Sequence, residues 1–340
     1  PHIPDRAGGQ PKDFSTIITN CIPDLQVQFN GQYFPLYYFE ERKKSSPSLF
    51  DAVGGNDLIR RDGVSNFILE RAKTQYGKNV NKEDIFYYVY GILHSPDYRT
   101  AFANDLKKML PRIPLVEDVR DFWKFSKAGR QLAELHISYE NVPSAKEVLL
   151  FIDRVPQKEI EAGLSGKEME AINYKVQKMR FPKKDQKDAI IYNSQITIEN
   201  IPAKAYEYLV NGKSAIEWIM ERYQVKTDPK SGIKNDPNDW AKEVGNPKYI
   251  LDLLLGIINV SVQTVDIIAG LPKLELDTES KEESIQENDI VVSKVELAKI
   301  PVGSVGTVVH VYKNGKAFEI EFVKKDGSSS VETALLNQIE

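Results

Sequence analysis

The run DTESKEESIQEND, residues 277–289, holds six carboxylates, one lysine and a single aliphatic residue, Ile285. Such a stretch buries too little apolar surface to offset the entropy of ordering its backbone. It cannot lie inside a core, so the chain on either side must fold as separate units. The boundaries that follow are a first domain over residues 1–271, an acidic linker over 272–287 and a small terminal domain over 288–340. From Pro272 onward there are 8 lysines and 13 carboxylates, a net of −5, within a whole-chain charge of −4. The first 271 residues therefore carry a net of only +1, with local basic clusters.

Periodicity in the first domain predicts an α+β fold, a mixture of β-sheet and helices. FSTIITN (14–20), LQVQF (25–29) and FPLYYF (34–39) are short, β-branched or aromatic, and separated by turn residues. Helical signals follow. Asn81 and Asp84 can cap EDIFYYVYGILH, and Ser95 with Pro96 starts PDYRTAFANDLKKML. Apolar residues recur at helical spacing from Val119 to about His136. VLLFID (148–153), YKVQKMRF (174–181) and AIIYNSQITIENIP (189–202) fit strands, the last two joined by the basic loop PKKDQKD. A helix from Asn246-Pro247 to about Ala269 is the longest apolar stretch. Asp252, Asn259, Gln263 and Asp266 interrupt it, which marks a buried helix rather than a membrane span.

Gly212-Lys213-Ser214 has the ending of a phosphate-binding loop. That loop needs a glycine five positions before Gly212, and Glu207 stands there. The alternative is structural. Residues 205–210 read as helix, Asn211-Gly212 as its left-handed stop, and Ser214 with Glu217 as the cap of the next helix.

No other motif points to catalysis or a cofactor. The four histidines and single cysteine have no metal-ligand spacing. His94 falls at a helix end, where a positive charge is favourable. The single cysteine suits a reducing, cytoplasmic setting.

Basic loops carry the strongest functional signal. INYKVQKMRFPKKDQK, residues 172–187, holds Lys175, Lys178, Arg180, Lys183, Lys184 and Lys187 against one carboxylate. Arg42, Lys43 and Lys44 share an early loop, Arg60 and Arg61 precede a helix, and Lys226, Lys230 and Lys234 lie in a late polar loop. Such charges suit a phosphate backbone. Asn235, Asp236, Asn238 and Asp239 have the chemistry to read base edges, or simply to form turns. For any single cluster, a solvated surface is the competing reading.

Several stretches resemble the C-terminal part of type ISP restriction-modification enzymes. They are KDFSTIITNCIPDLQ, FPLYYFEE, DIFYYVYGILHSPDYRTAFANDLKKMLPRIPL, the segment from MRFPKKDQKD to KNDPNDW, and NPKYILDLLLGIINVSVQTV. Together they cover most of residues 12–272. Such enzymes join a nuclease, an ATPase motor, a coupler, an adenine-N6 methyltransferase and a target recognition domain. The resemblance is to the last part only, since Asn-Pro-Pro-aromatic, Walker and nuclease motifs are missing. It implies a non-catalytic module that binds duplex DNA sequence-specifically beside methyltransferase and motor domains. DIVV, IPVGSVGTVVHVY and AFEIEFVKKDG in the terminal domain resemble a small SH3-like family of unknown function, implying a β-barrel. A rival reading, from the acidic tail, is a module that docks onto other proteins.

The site residues expected for DNA are Lys43, Lys44, Arg60, Arg61, Lys178, Arg180, Lys183, Lys184, Lys187, Lys230, Lys234 and Asn235.

Overall fold

The computed structural model describes residues 2–3, 14–24, 32–41, 58–159, 172–274, 285, 287–298, 300–312, 317–323 and 328–339. The chain divides into two units, Pro1–Leu274 and Glu275–Glu340.

Helix starts in the first unit are set by local side chains. In α1 (Asn66–Tyr76) the Ser65 hydroxyl accepts from the Ile68 amide. In α2 (Lys82–Ile92) Asn81 and Asp84 exchange hydrogen bonds with each other's backbone amides, closing a full capping box. Ser95 caps α3 (Pro96–Ala101), with Pro96 at its first position. This helix stops nine residues short of the expected Leu110. Residues 102–109 continue as turns, because Asn104 and Asp105 favour turns over a further helical ladder. Asp118 caps α4 (Val119–Ile137).

Helices α2 and α4 cross where both carry glycine. A Cβ on Gly129 would overlap the Tyr87 carbonyl oxygen, and one on Gly91 would overlap that of Phe125. Beside this crossing Tyr76 and Tyr88 stack on Phe122, with ring centroids 4.1 and 4.9 Å away. The buried hydroxyls of Tyr88 and Tyr98 donate to the carbonyls of Pro114 and Arg112, which fixes the proline-rich segment after α3.

Strands β1 (His2–Ile3) and β2 (Gln32–Tyr33) pair antiparallel, as do β3 (Tyr37–Glu41) and β4 (Leu58–Asp62). Residues 14–20 form no strand beyond a bridge at Ile17, and the expected strand 25–29 lies outside the described residues. A four-stranded antiparallel sheet runs in the order β6-β5-β8-β7, from β5 (Leu149–Ile152), β6 (Val155–Pro156), β7 (Ile190–Ile191) and β8 (Ile196–Glu199). Its apolar face, with Ile152, Ile190, Ile196 and Ile198, joins one core with Ile216, Leu254 and Ile258.

The Asn-Gly pair corrects one reading. Residues 203–206 form a 3-10 turn. The chain then enters β9 (Leu209–Val210), which pairs with β10 (Lys213–Ser214). Asn211 and Gly212 have φ of 51° and 73°. Two successive left-handed residues close a two-residue hairpin, whereas a helix stop needs only one. Ser214 does cap the next helix, α5 (Ala215–Arg222). Strands β11 (Lys226–Thr227) and β12 (Lys234–Asn235) form a further hairpin, followed by α6 (Asn238–Glu243) and α7 (Tyr249–Ala269). Among the described residues α7 alone is long and apolar enough to cross a membrane, and most of it is buried in the core.

The second unit is an antiparallel meander of β13 (Ile290–Val292), β14 (Val305–Val311), β15 (Ala317–Val323) and β16 (Ser329–Leu335). Alternate residues Val308, Phe318, Ile320 and Phe322 fill its core. A 3-10 turn after β16 leads Ile339 into a bridge with Ser293, beyond β13. Its turn at Gly303 has φ of 82°. Asn314-Gly315 and Asp326-Gly327, pairs whose residue types favour hairpin turns, lie outside the described residues.

Candidate nucleic-acid interface

Residues 172–181 form no regular strand, bend at Gln177 and pair only at one bridge, Arg180 to Ile191. Side chains take over the backbone groups that a neighbouring strand would satisfy. The Val176 amide donates to Asn238 Oδ1 at 2.9 Å, and Asn238 Nδ2 donates back to the Val176 carbonyl at 2.8 Å. Asn193 Nδ2 bonds the carbonyls of Asn173 and Lys175, and the Tyr192 hydroxyl bonds that of Tyr174. Val176 and Met179 are buried, while Lys175, Gln177, Lys178 and Arg180 are exposed. The segment thus works as a rail, with Val176 and Met179 in the core and Lys175, Gln177, Lys178 and Arg180 in solvent.

Beyond it, Lys183 and Lys184 are exposed in a turn. Lys187 behaves differently. Its ammonium lies 3.0 Å from Glu217 and near the faces of Phe181 and Tyr206. Burial alone would raise the Glu217 carboxyl, but the Ser214 hydroxyl and the Lys187 ammonium outweigh it and hold it below the usual range. Lys187 is therefore engaged within the protein, unlike its neighbours.

The late hairpin adjoins this rail. The Val225 amide donates to the Gln177 carbonyl at 2.9 Å, directly before β11. Asn238, three residues after β12, holds Val176. Three bonds to the neighbouring rail residues Val176 and Gln177 thus tie down both ends of the hairpin. Asn238 is consumed by this task, and Asp236 accepts from Lys234 and Asn238. Those two bonds hold the Asp236 carboxyl below its ordinary range. These residues are turn and clamp formers, which resolves the alternative left open by their residue type. Lys230 and Asn235 remain exposed, and Lys234 is exposed beside Asp236 at 2.9 Å. Among the described residues no ion pair involves Lys178, Arg180, Lys183, Lys184 or Lys230.

Arg60 and Arg61 belong to a different element, strand β4. The Arg60 guanidinium lies 4.3 Å from the Tyr37 ring, and Arg61 pairs with Glu40 at 3.1 Å. The ribbon is tied to α2: the Tyr37 hydroxyl donates to Glu83 at 2.6 Å, and Lys82 pairs with Asp62 at 2.8 Å. The Tyr37 bond, with Arg130 behind it, outweighs partial burial and lowers the Glu83 pKa. Beside Arg60 in register stands Phe39, 63% exposed. Lys43 and Lys44 lie outside the described residues. Counting charges passes over the exposed apolar members, Phe39 and Ile233, and the outward-facing Gln177.

Histidine chemistry lies elsewhere. His94 Nδ1 sits 2.8 Å from the Tyr90 carbonyl, so it does meet the end of α2. It is buried, however, and burial pushes its pKa well down, so it caps the helix as a neutral ring. His136 bridges the hydroxyls of Tyr90 and Thr264 at 2.8 and 2.9 Å. Among the described residues no group of three His, Cys, Asp or Glu is placed to hold a metal.

Residues 4–253 match the family described as the Type ISP C-terminal specificity domain. The chain belongs to that family. Its likeness extends to solved structures. The ATP-dependent Type ISP restriction-modification enzyme LlaBIII bound to DNA is 39% identical over 79% of this chain, with a TM-score of 0.63. A nuclease-deletion mutant of the Type ISP enzyme LlaGI in complex with a DNA substrate mimic is 39% identical over 81%, with a TM-score of 0.60. The DrdV–DNA complex is 25% identical over 81%, with a TM-score of 0.61. The match spans only 15%, 21% and 25% of those chains. No curated protein matches. Residues 287–336 match a domain of unknown function, DUF4926. In this Type ISP specificity domain the ends of the late hairpin are bonded to the rail at Val176 and Gln177, while the β3–β4 ribbon is tied to α2.

Proposed function

We propose that this chain is the target recognition part of a Type ISP restriction-modification enzyme and binds duplex DNA sequence-specifically. The observation that carries the reading is the joining of two basic segments, remote in sequence, by the Asn238–Val176 and Val225–Gln177 bonds. Exposed cations on segments so joined suit a phosphate backbone, which fixes register while a few side chains read bases. LlaBIII and LlaGI, similar over most of this chain, are both described with DNA or its mimic.

In this reading Lys178, Lys183, Lys184 and Lys230 contact phosphates, with Lys234 a weaker contributor because Asp236 neutralises it. Arg180 has the planar fork that suits guanine, and Asn235 the amide that suits adenine. Arg60 and Arg61, with Lys43 and Lys44 near them in sequence, supply a second contact region. Lys187 acts indirectly, by fixing the turn that presents Lys183 and Lys184. Catalysis belongs to methyltransferase and motor domains of a parent enzyme in the cytoplasm. The acidic run 272–287 serves as a linker, and residues 288–340 form an SH3-like barrel. The exposed Ile290, Val305, Val323 and Val331 favour protein docking for that barrel rather than DNA contact.

The test is binding of the full chain to duplexes at fixed salt. A motif selected from a randomised pool should bind at least tenfold tighter than its scrambled version. Equal affinity for the two would sink the reading.

A further inference from the structure

The late hairpin has the build of a probe. Residues 226–235 are exposed from end to end. Ten exposed residues in succession normally make a loose loop, yet this one is closed by its own bonds. The Asp228 amide donates to the Ile233 carbonyl, and the Gly232 amide to the Asp228 carbonyl, both at 2.9 Å. The Asp228 carboxylate accepts from the Lys230 and Ser231 amides and from the Ser231 hydroxyl, at 3.0, 2.7 and 2.9 Å. Gly232 supplies the left-handed residue at φ of 70°.

This closure decides what the tip presents. Its one carboxylate, Asp228, is exposed but has Oδ1 taken up by the tip's own amides and hydroxyl, and it stands against the cations Lys226 and Lys230, with Lys234 paired to Asp236. Between Lys230 and Lys234 stands Ile233, 68% exposed. An isoleucine so exposed adds little to folding, and a rigid loop holds it away from the body. A two-stranded ribbon fits the major groove of B-DNA, where the apolar feature on offer is the thymine methyl group.

We infer that the 226–235 hairpin enters the major groove and that Ile233 is a specificity-determining residue, making apolar contact with a thymine methyl while the flanking lysines meet phosphates. This rests on the DNA reading above and adds the groove, the residue and the base.

The experiment uses the full chain and a pool of duplexes with a randomised centre. The wild type should enrich a motif containing thymine. Replacing the relevant thymine by uracil removes only the methyl group and should weaken binding about fourfold, the factor for one buried carbon. Ile233→Ala should bind the thymine duplex more weakly by a similar factor and be indifferent to uracil. Its salt dependence should match the wild type, because no charge is lost. Ile233→Val should retain the preference. If Ile233→Ala enriches the same motif with the same affinity, or weakens on every sequence alike, the inference is wrong and the DNA reading stands. If the wild type enriches no motif, both fall. Ile233 is exposed, so a folding failure does not obscure these outcomes.

Discussion

Asn238 holds both backbone groups of Val176, accepting from its amide at 2.9 Å and donating to its carbonyl at 2.8 Å. One side chain thereby does what a neighbouring β-strand would do, across 62 positions of sequence. It also sets the spacing between the rail and the late hairpin.

Asn238→Ala should leave the buried Val176 amide and carbonyl unpaired, at a cost of about 2 kcal/mol. Urea unfolding measures this. DNA affinity should fall as well, although no basic residue has been removed. Loss of stability with unchanged affinity would show that the clamp does not align the surface.

Neutralising Lys183 and Lys184 together should weaken every duplex by a similar factor and lower the salt slope by roughly two units. Lys187→Gln should barely alter the slope, because its ammonium is already held by Glu217. That exposed pair contributes less than about 1 kcal/mol. Binding isotherms at several salt concentrations separate the two cases.

Gly129→Ala should destabilise the first unit by about 3 kcal/mol, since the added methyl meets the Tyr87 backbone rather than a movable side chain. Ala is otherwise the better helix former, so an exposed helical site would show the opposite sign. Thermal unfolding of the variant decides between them.

Burial lowers the His136 pKa to about 4, against an ordinary 6.5. Between those values the unfolded chain binds more protons than the folded one, so stability rises with pH. The contribution is complete above pH 6.5 and is lost as pH falls toward 4, amounting to roughly 3 kcal/mol. His94 shifts in the same direction. Unfolding midpoints of the wild type and His136→Gln across pH 4 to 7 should show a shallower slope for the variant.

What the sequence revealed divides by range. The caps at Asn81 with Asp84, at Ser95 with Pro96 and at Ser214 are local, and each is legible three or four residues away. Asn211-Gly212 misled because a helix stop and a hairpin share the left-handed backbone; only the partner strand distinguishes them. Residues 174–181 read as a strand, yet apart from the Arg180–Ile191 bridge and the Val225 amide their backbone partners are side chains at 192, 193 and 238. That cannot be seen from their own composition. The candidate site follows the same rule. Its cations are countable, but Lys187 and Arg61 face carboxylates that folding brings to them. The exposed Ile233 sits within a polar loop, where no pattern of charges would single it out.

Asp228 fixes the hairpin tip using only atoms of residues 228–233. Form is thus assigned to Asp228, Ser231 and Gly232, while residues 230, 233 and 235 take no part in closing the tip through their side chains. Under the proposed reading, substitutions at those three positions would alter the preferred DNA sequence without refolding the tip. A lineage under pressure to change its target would then have an interchangeable part, and a designer three positions to randomise before disturbing the scaffold.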